Sequence, residues 1–284
     1  MADQPPNSAL SAGDKQLAIS KRIGWLVACI SLSVLASWIF NLPLLRNPFP
    51  STVDMKFNAA IAFALLGAAL AACARGGDWW RLGDLVGLLV IAFGAQTLAE
   101  YFIGLDWGID QALVKDTAPA PLTVHPGRPA PLTAINFILV GTALTSVWGA
   151  RARQRLGLTV AAVGMLYLCA YLYGVPQLHP ALTGFTGMAA VTAFVFVALG
   201  LGIVALHPDH GVMLVLLDRG GGGMLARWLL PVGLATPLLG DGVAELLVRM
   251  DLITVQGGAG GPYSAGHGDH RFVYPDGGTA SDPA

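Results

Sequence analysis

Apolar runs long enough to cross a bilayer recur along the chain, separated by polar or proline-containing segments. Seven such stretches fall at about 24–41, 57–74, 83–104, 131–149, 156–174, 188–206 and 226–248, each near the roughly 20 residues a spanning helix needs. The pattern predicts an all-α integral membrane protein of about seven transmembrane helices. The last stretch is the most interrupted, by Pro231, Pro237, Gly240 and Asp241, with Glu245 near its end. A kinked or partly inserted helix is expected there, since neighbours in a bundle can satisfy the carbonyls that such breaks free.

Three of the stretches carry one phrase in common. It reads AAIAFALLGAAL from Ala59, TAINFILVGTAL from Thr133 and TAFVFVALGLGI from Thr192. The phenylalanines Phe63, Phe137 and Phe196 and the glycines Gly67, Gly141 and Gly200 stay in register throughout. An i,i+4 separation puts ring and bare backbone on one helix face, where a neighbouring helix can approach closely. Packing accounts for both residue types without a ligand. A weaker echo follows in the helix after two of the phrases: Glu100-Tyr101-Phe102-Ile103-Gly104 in one, Ala170-Tyr171-Leu172-Tyr173-Gly174 in the other. The expected unit is therefore a phrase helix with the helix that follows it, giving three parallel helix-pair repeats at about 55–105, 129–175 and 188–250.

Composition agrees with the membrane reading: 55% of the 284 residues are hydrophobic, 12% are charged and the mean hydropathy is +0.63. A net charge of −1, from 16 basic and 17 acidic residues, gives no nucleic-acid signal. The placement of the basic residues is more informative. With the N-terminus inside, Lys15, Lys21, Arg22, Arg75, Arg81, Arg151, Arg153, Arg155, Arg219 and Arg227 are cytoplasmic, whereas Arg46, Lys56, Lys115, Arg128, Arg249 and Arg271 lie outside. That excess favours an inside N-terminus, with residues 1–23 as a cytoplasmic leader. The first stretch lacks a small-residue cleavage site and is longer than a signal-peptide core, so it reads as a span. Cys29, Cys73 and Cys169 are isolated within spans and build neither a disulfide framework nor a metal pair. Residues 251–284, rich in Gly, Pro, Ser, His and Asp, are expected to be a disordered tail.

Candidate sensing residues gather at the outer face. Glu100 is an ionisable group within the apolar end of a span, a costly placement that tends to mark a function or a paired partner. Tyr101 follows it. Two outer segments, Asp106 to Ala130 with Asp106, Asp110 and a Pro-rich tract, and Val175 to Gly187 with His179, could cover the mouth of the bundle. Asp84, Gln96, Asn136, Thr133 and Thr192 are candidates for hydrogen bonds between helices. The inner segment His207 to Arg227 reads as a short surface-lying amphipathic piece followed by a glycine joint; its glycines lack the Lys and Ser/Thr of a phosphate loop. His267, Asp269 and His270 lie in the low-complexity tail, a poor setting for a structural metal. No hydrolase, metalloprotease, paired-carboxylate or calcium-loop signature occurs, so no catalytic residue, metal or cofactor is expected.

The order of phrases, from EYFIGLDWGIDQALV through PGRPAPLTAINFILVG and AYLYGVPQLH to GFTGMAAVTAFVFVALGLGIVALHPDHGVMLVLLDRGGGGMLARWLLP, resembles the N-terminal multi-helix membrane module of bacterial sensor histidine kinases that contain PAS domains. Related modules also precede diguanylate cyclase domains. The resemblance spans about residues 25–235 and implies a sensory input module of the bacterial inner membrane, of the two-component type, passing its signal from an eighth helix to cytoplasmic domains. A homodimer or a cytoplasmic kinase partner is implied in the same way. The sequence departs from that pattern after Arg249, with no eighth span, no phosphoacceptor histidine motif, no nucleotide lid and no GGDEF. The expectation is thus a sensor lacking its own output domain, such as a truncated sensor kinase. A small multi-spanning transporter or channel is the other reading.

Overall fold

The computed structural model describes residues 12–47, 53–104, 106–116, 123–172, 185–218, 220–225 and 227–228. Among them the chain is all-helical: α1 (Ala12–Ile39), α2 (Pro43–Arg46), α3 (Phe57–Cys73), α4 (Trp80–Ile103), α5 (Pro131–Leu144), α6 (Ala150–Leu172), α7 (Ala190–Ala205) and α8 (Gly211–Leu217), with 3₁₀ turns at Gly77–Trp79 and Ile109–Gln111. Three helical stretches, Gly13–Ile39, Gly77–Ile103 and Ala150–Leu172, are long and apolar enough to cross a membrane, and α3, α5 and α7 are shorter apolar helices. The chain divides into two compact units, Met1–Gly242 and Val243–Ala284. The second unit, the tail at 251–284 and nearly all of the seventh apolar stretch lie outside the described residues.

Most helix bounds fall close to the apolar stretches; the largest departure is α1, which begins at Ala12, within the expected leader, rather than near residue 24. α5 stops at Leu144, short of the stretch ending at 149, because the chain turns there. The backbone N–H and the hydroxyl of Ser146 both donate to the carboxylate of Asp84 near the start of α4. α6 then begins at Ala150 and carries Arg151, Arg153 and Arg155 on its first turns. α4 ends at Gly104, whose φ of 72° is the left-handed C-terminal conformation that glycine adopts without strain.

The helices sort by burial. α3, α5 and α7 are buried along most of their length, the signature of helices apolar all round. α1, α4 and α6 bury one side and leave large apolar residues such as Trp25, Leu32, Leu88, Leu89 and Leu166 exposed. Phe63, Phe137 and Phe196 meet at the centre, fully buried, with ring centroids 4.7, 4.8 and 5.4 Å apart. These separations suit tilted and edge-on aromatic contacts.

The glycines serve a different contact. Each central helix packs most extensively on the peripheral helix that precedes it, α3 on α1, α5 on α4 and α7 on α6. The close points are Gly67 on Gly24, Gly141 on Gly87 and Gly200 on Gly157. A Cβ built on Gly67 or Gly141 would lie 2.6 Å from the facing glycine's carbonyl oxygen, so only bare backbone fits. Ring and glycine therefore split their tasks, the ring turned to the centre and the glycine to the peripheral partner. The tightest pairs join each phrase helix to the helix before it in the chain, one helix out of step with the pairing read from the sequence.

Where α4 and α6 begin and α7 ends, Trp80 organises the contacts. The Arg153 guanidinium lies 4.2 Å over its ring, and the His207 ring stacks on it at 6.0 Å and 14°. Gln154 on α6 donates to the carbonyls of Val204 (3.3 Å) and His207 (2.9 Å) and accepts from the Val212 N–H (3.1 Å), tying α6 to the end of α7 and the start of α8. Burial, with the charges of Arg153 and His210, holds the His207 imidazole down at about 4.

Candidate functional site: a buried guanidinium among three carboxylates

At the opposite end, where α3, α5 and α7 begin, the loops form a charged cluster. α4 delivers Glu100 and Tyr101 in its last turn. Past Gly104 the chain makes a tight Asx-type turn in which the Gly108 N–H donates to Asp106 Oδ1 at 2.9 Å. The 3₁₀ turn that follows presents Asp110, and Asn58 of α3 holds it by donating to the carbonyls of Ile109 (3.2 Å) and Asp110 (2.9 Å). Arg128 comes from the segment that leads into α5.

Arg128 is the hub. Its Nε donates to Asp110 Oδ2 at 2.6 Å and lies 3.3 Å from Glu100 Oε2, while Nη2 is 3.7 Å from Asp106 Oδ1. The guanidinium also sits 5.3 Å over the Tyr101 ring. Glu100 is 2% exposed, and its other oxygen accepts from Gln96 Nε2 (3.0 Å) and from the Trp107 N–H (3.4 Å). The contact between Glu100 Oε2 and Arg128 is one of charge rather than a directed hydrogen bond.

Three carboxylates around one guanidinium leave a surplus of negative charge. Burial pushes the Asp110 carboxyl above its ordinary range, and the charges of Glu100 and Asp106 push the same way, against the Arg128 hydrogen bond. For Arg128, burial pulls down, but the hydrogen bond and charge of Asp110 and the charge of Glu100 outweigh it and the guanidinium stays firmly charged. Removing Arg128 from a buried group of this kind would cost about 3–5 kcal/mol, because the carboxylates would be left uncompensated, whereas removing one carboxylate relieves part of the surplus.

Aromatic contacts join this cluster to the segment before α7. Tyr101 meets His125 at 5.4 Å and Phe185 at 5.3 Å, and the His125 N–H donates to Thr186 Oγ1 at 3.2 Å. A cleft of about 120 Å³ lined by Asp106, Asp110, Gln111, His125 and Arg128 opens on the cluster. Carboxylate oxygens of Glu100, Asp106 and Asp110 lie within 4.8 Å of one another, close enough to share a metal ion, but the Arg128 guanidinium already reaches all three.

Two further buried pairs secure the same end. Lys56 Nζ contacts Asp116 Oδ2 at 2.7 Å and Thr123 Oγ1 at 3.3 Å. Arg46 Nε contacts Asp54 Oδ2 at 2.9 Å, with its guanidinium 4.4 Å over Trp38. Trp38 in turn donates to the Met55 carbonyl at 3.0 Å.

Of the residues singled out from the sequence, Glu100, Tyr101, Asp106 and Asp110 come together here. His179 lies outside the described residues, as does most of its segment. Phe63, Phe137, Phe196, Gly67, Gly141 and Gly200 belong to the helix core, away from the cluster. Among the polar residues suggested as links between helices, Asp84 of α4 bonds Ser146 in the turn after α5, whereas Gln96 bonds Glu100 within its own helix. Asn136 is fully buried with neither side-chain polar atom hydrogen-bonded among the described residues. In the sequence, Arg128, Lys56 and Arg46 stand only as markers of orientation. Arg128 shares its segment with Asp106, Asp110 and Asp116, but no spacing in the sequence marks which acid it meets. No known protein family, curated protein or solved structure matches the chain.

Proposed function

We propose that this protein is a membrane-embedded sensory input module of bacterial signal transduction, of the two-component histidine kinase type. In this reading the apolar stretches make about seven spans built as parallel repeats, in the cytoplasmic membrane with the N-terminus inside. The exposed apolar sides of α1, α4 and α6 face lipid. The output kinase is a cytoplasmic domain or partner, or acts within a homodimer.

The observation that carries the reading is the Arg128 cluster. It links the end of α4, the 3₁₀ turn and the segment entering α5 through one buried charge, and the Asn58 amide of α3 holds the same turn. A stimulus that alters that charge balance changes how the ends of several helices are held at once. Two packings of the bundle would then differ at the Trp80–Arg153–His207 junction, from which the chain leaves toward α8. A transporter or channel is less well supported, because the three central phenyl rings fill the axis of the bundle.

The test is a chimera in which the chain through Arg227 is joined to a kinase core, with autophosphorylation measured in membranes. Arg128→Gln is expected to lower the yield, because the carboxylates lose their counter-charge, and to change basal output per inserted, folded chimera several-fold. Unchanged output from an inserted, folded R128Q chimera contradicts the reading.

A further inference from the structure

The three central helices begin at one place. Their N-cap residues, Lys56, Ala130 and Ala189, and their third residues, Ala59, Thr133 and Thr192, line a single cavity of about 10 Å³, room for one water-sized or halide-sized occupant. None of the three helices has a side-chain cap. The first i→i−4 bonds run from Ala60 to Lys56, Ala134 to Ala130 and Ala193 to Ala189, each 3.0 Å, so the N–H groups before them have no intrahelical acceptor. Buried helix ends of this kind call for a partner. Three helix dipoles also place their positive ends around the same point.

A second, independent observation is the pair of threonines. Thr133 and Thr192 are 2% and 3% exposed, both line the cavity, and neither hydroxyl makes a hydrogen bond among the described residues. The charged side chains on the wall are already committed: the Lys56 ammonium to Asp116 and Thr123, and the Asp54 carboxylate to Arg46. The cavity therefore offers unpaired N–H and O–H donors with little net side-chain charge.

We infer that this convergence of three uncapped helix N-termini with two free threonine hydroxyls binds a single small anion, of the chemical class of chloride. Such a site follows from orphan backbone donors and aligned dipoles. Its occupant would staple α3, α5 and α7 directly above the phenylalanine core. The inference is independent of the sensory reading.

The experiment uses the full chain in detergent micelles, with thermal unfolding followed in sodium chloride and in sodium gluconate at equal ionic strength. Tm is expected to rise with chloride and saturate, to rise likewise with bromide, and to stay flat in gluconate. Thr133→Val combined with Thr192→Val should abolish the chloride-dependent rise. Equal Tm values in the two salts overturn the inference and leave the cavity to water. A rise undiminished in the double variant also overturns it, by placing the halide elsewhere. If the double variant fails to fold, the wild-type comparison and the single variants T133V and T192V decide the matter.

Discussion

Arg128 has three acidic neighbours and no rival cation in direct contact among the described residues, so its loss and the loss of a carboxylate have opposite electrostatic consequences. Asp110 gives the cleaner titration. Its native carboxyl is raised above the ordinary 3.8, chiefly by burial, so between those two values the folded state binds more protons than the unfolded chain. Stability from this group is therefore fullest in acid and declines as pH rises through that window. Asp110→Asn should remove this component, leaving a Tm-against-pH curve flatter above pH 4 than that of the wild type. A variant curve that superimposes on the wild-type curve would show that Asp110 does not titrate in this way. The residues of this cluster were only half legible in the sequence. Glu100, Tyr101, Asp106 and Asp110 stand out by position in or beside an apolar span, whereas Arg128 acquires its role by loop closure across the Asp106–Asp116 segment, and pairing at that range has no period to reveal it.

Among the elements, the glycine contacts make the sharper claim. Gly141 faces Gly87, and a methyl group there would lie 2.6 Å from the Gly87 carbonyl oxygen and 2.8 Å from a side-chain carbon of Ile91. Gly141→Ala forces α4 and α5 apart and should destabilise the bundle by about 1–3 kcal/mol, the usual cost of overpacking. Gly149→Ala, at a position with no atom within 4 Å of the new methyl, is the control and should be near neutral. Denaturant unfolding in micelles reads both, and equal midpoints for the two variants would refute the close-contact account. The phrase that carries Gly67, Gly141 and Gly200 was legible because its spacing repeats. Gly24, Gly87 and Gly157, against which those glycines pack, share a fainter phrase: Gly87 and Gly157 each open Gly-Leu-x-Val-x-Ala-x-Gly, and Gly24 keeps only its valine in register, at Val27. The early stop of α5 was hidden, because it depends on Asp84 of α4 meeting Ser146 across space.

For the molecule as a whole, the apolar stretches made the all-helical class plain, and the described residues hold six apolar helices, central ones short and buried, peripheral ones longer with apolar outer sides. Composition could not show that the chain places buried charge at both ends of this bundle. The Arg128 cluster lies where α3, α5 and α7 begin, and the Trp80–Arg153–His207 junction lies where α4 and α6 begin and α7 ends. The central claim is that a change at the first is read at the second, across a membrane. The two ends must then face opposite compartments. The most direct measurement is to fuse alkaline phosphatase and a fluorescent protein, each in turn, at Lys115 and at Arg227 in bacterial cells. The account predicts an active phosphatase and no fluorescence at Lys115, with the reverse at Arg227. Both sites reporting the same compartment would contradict it.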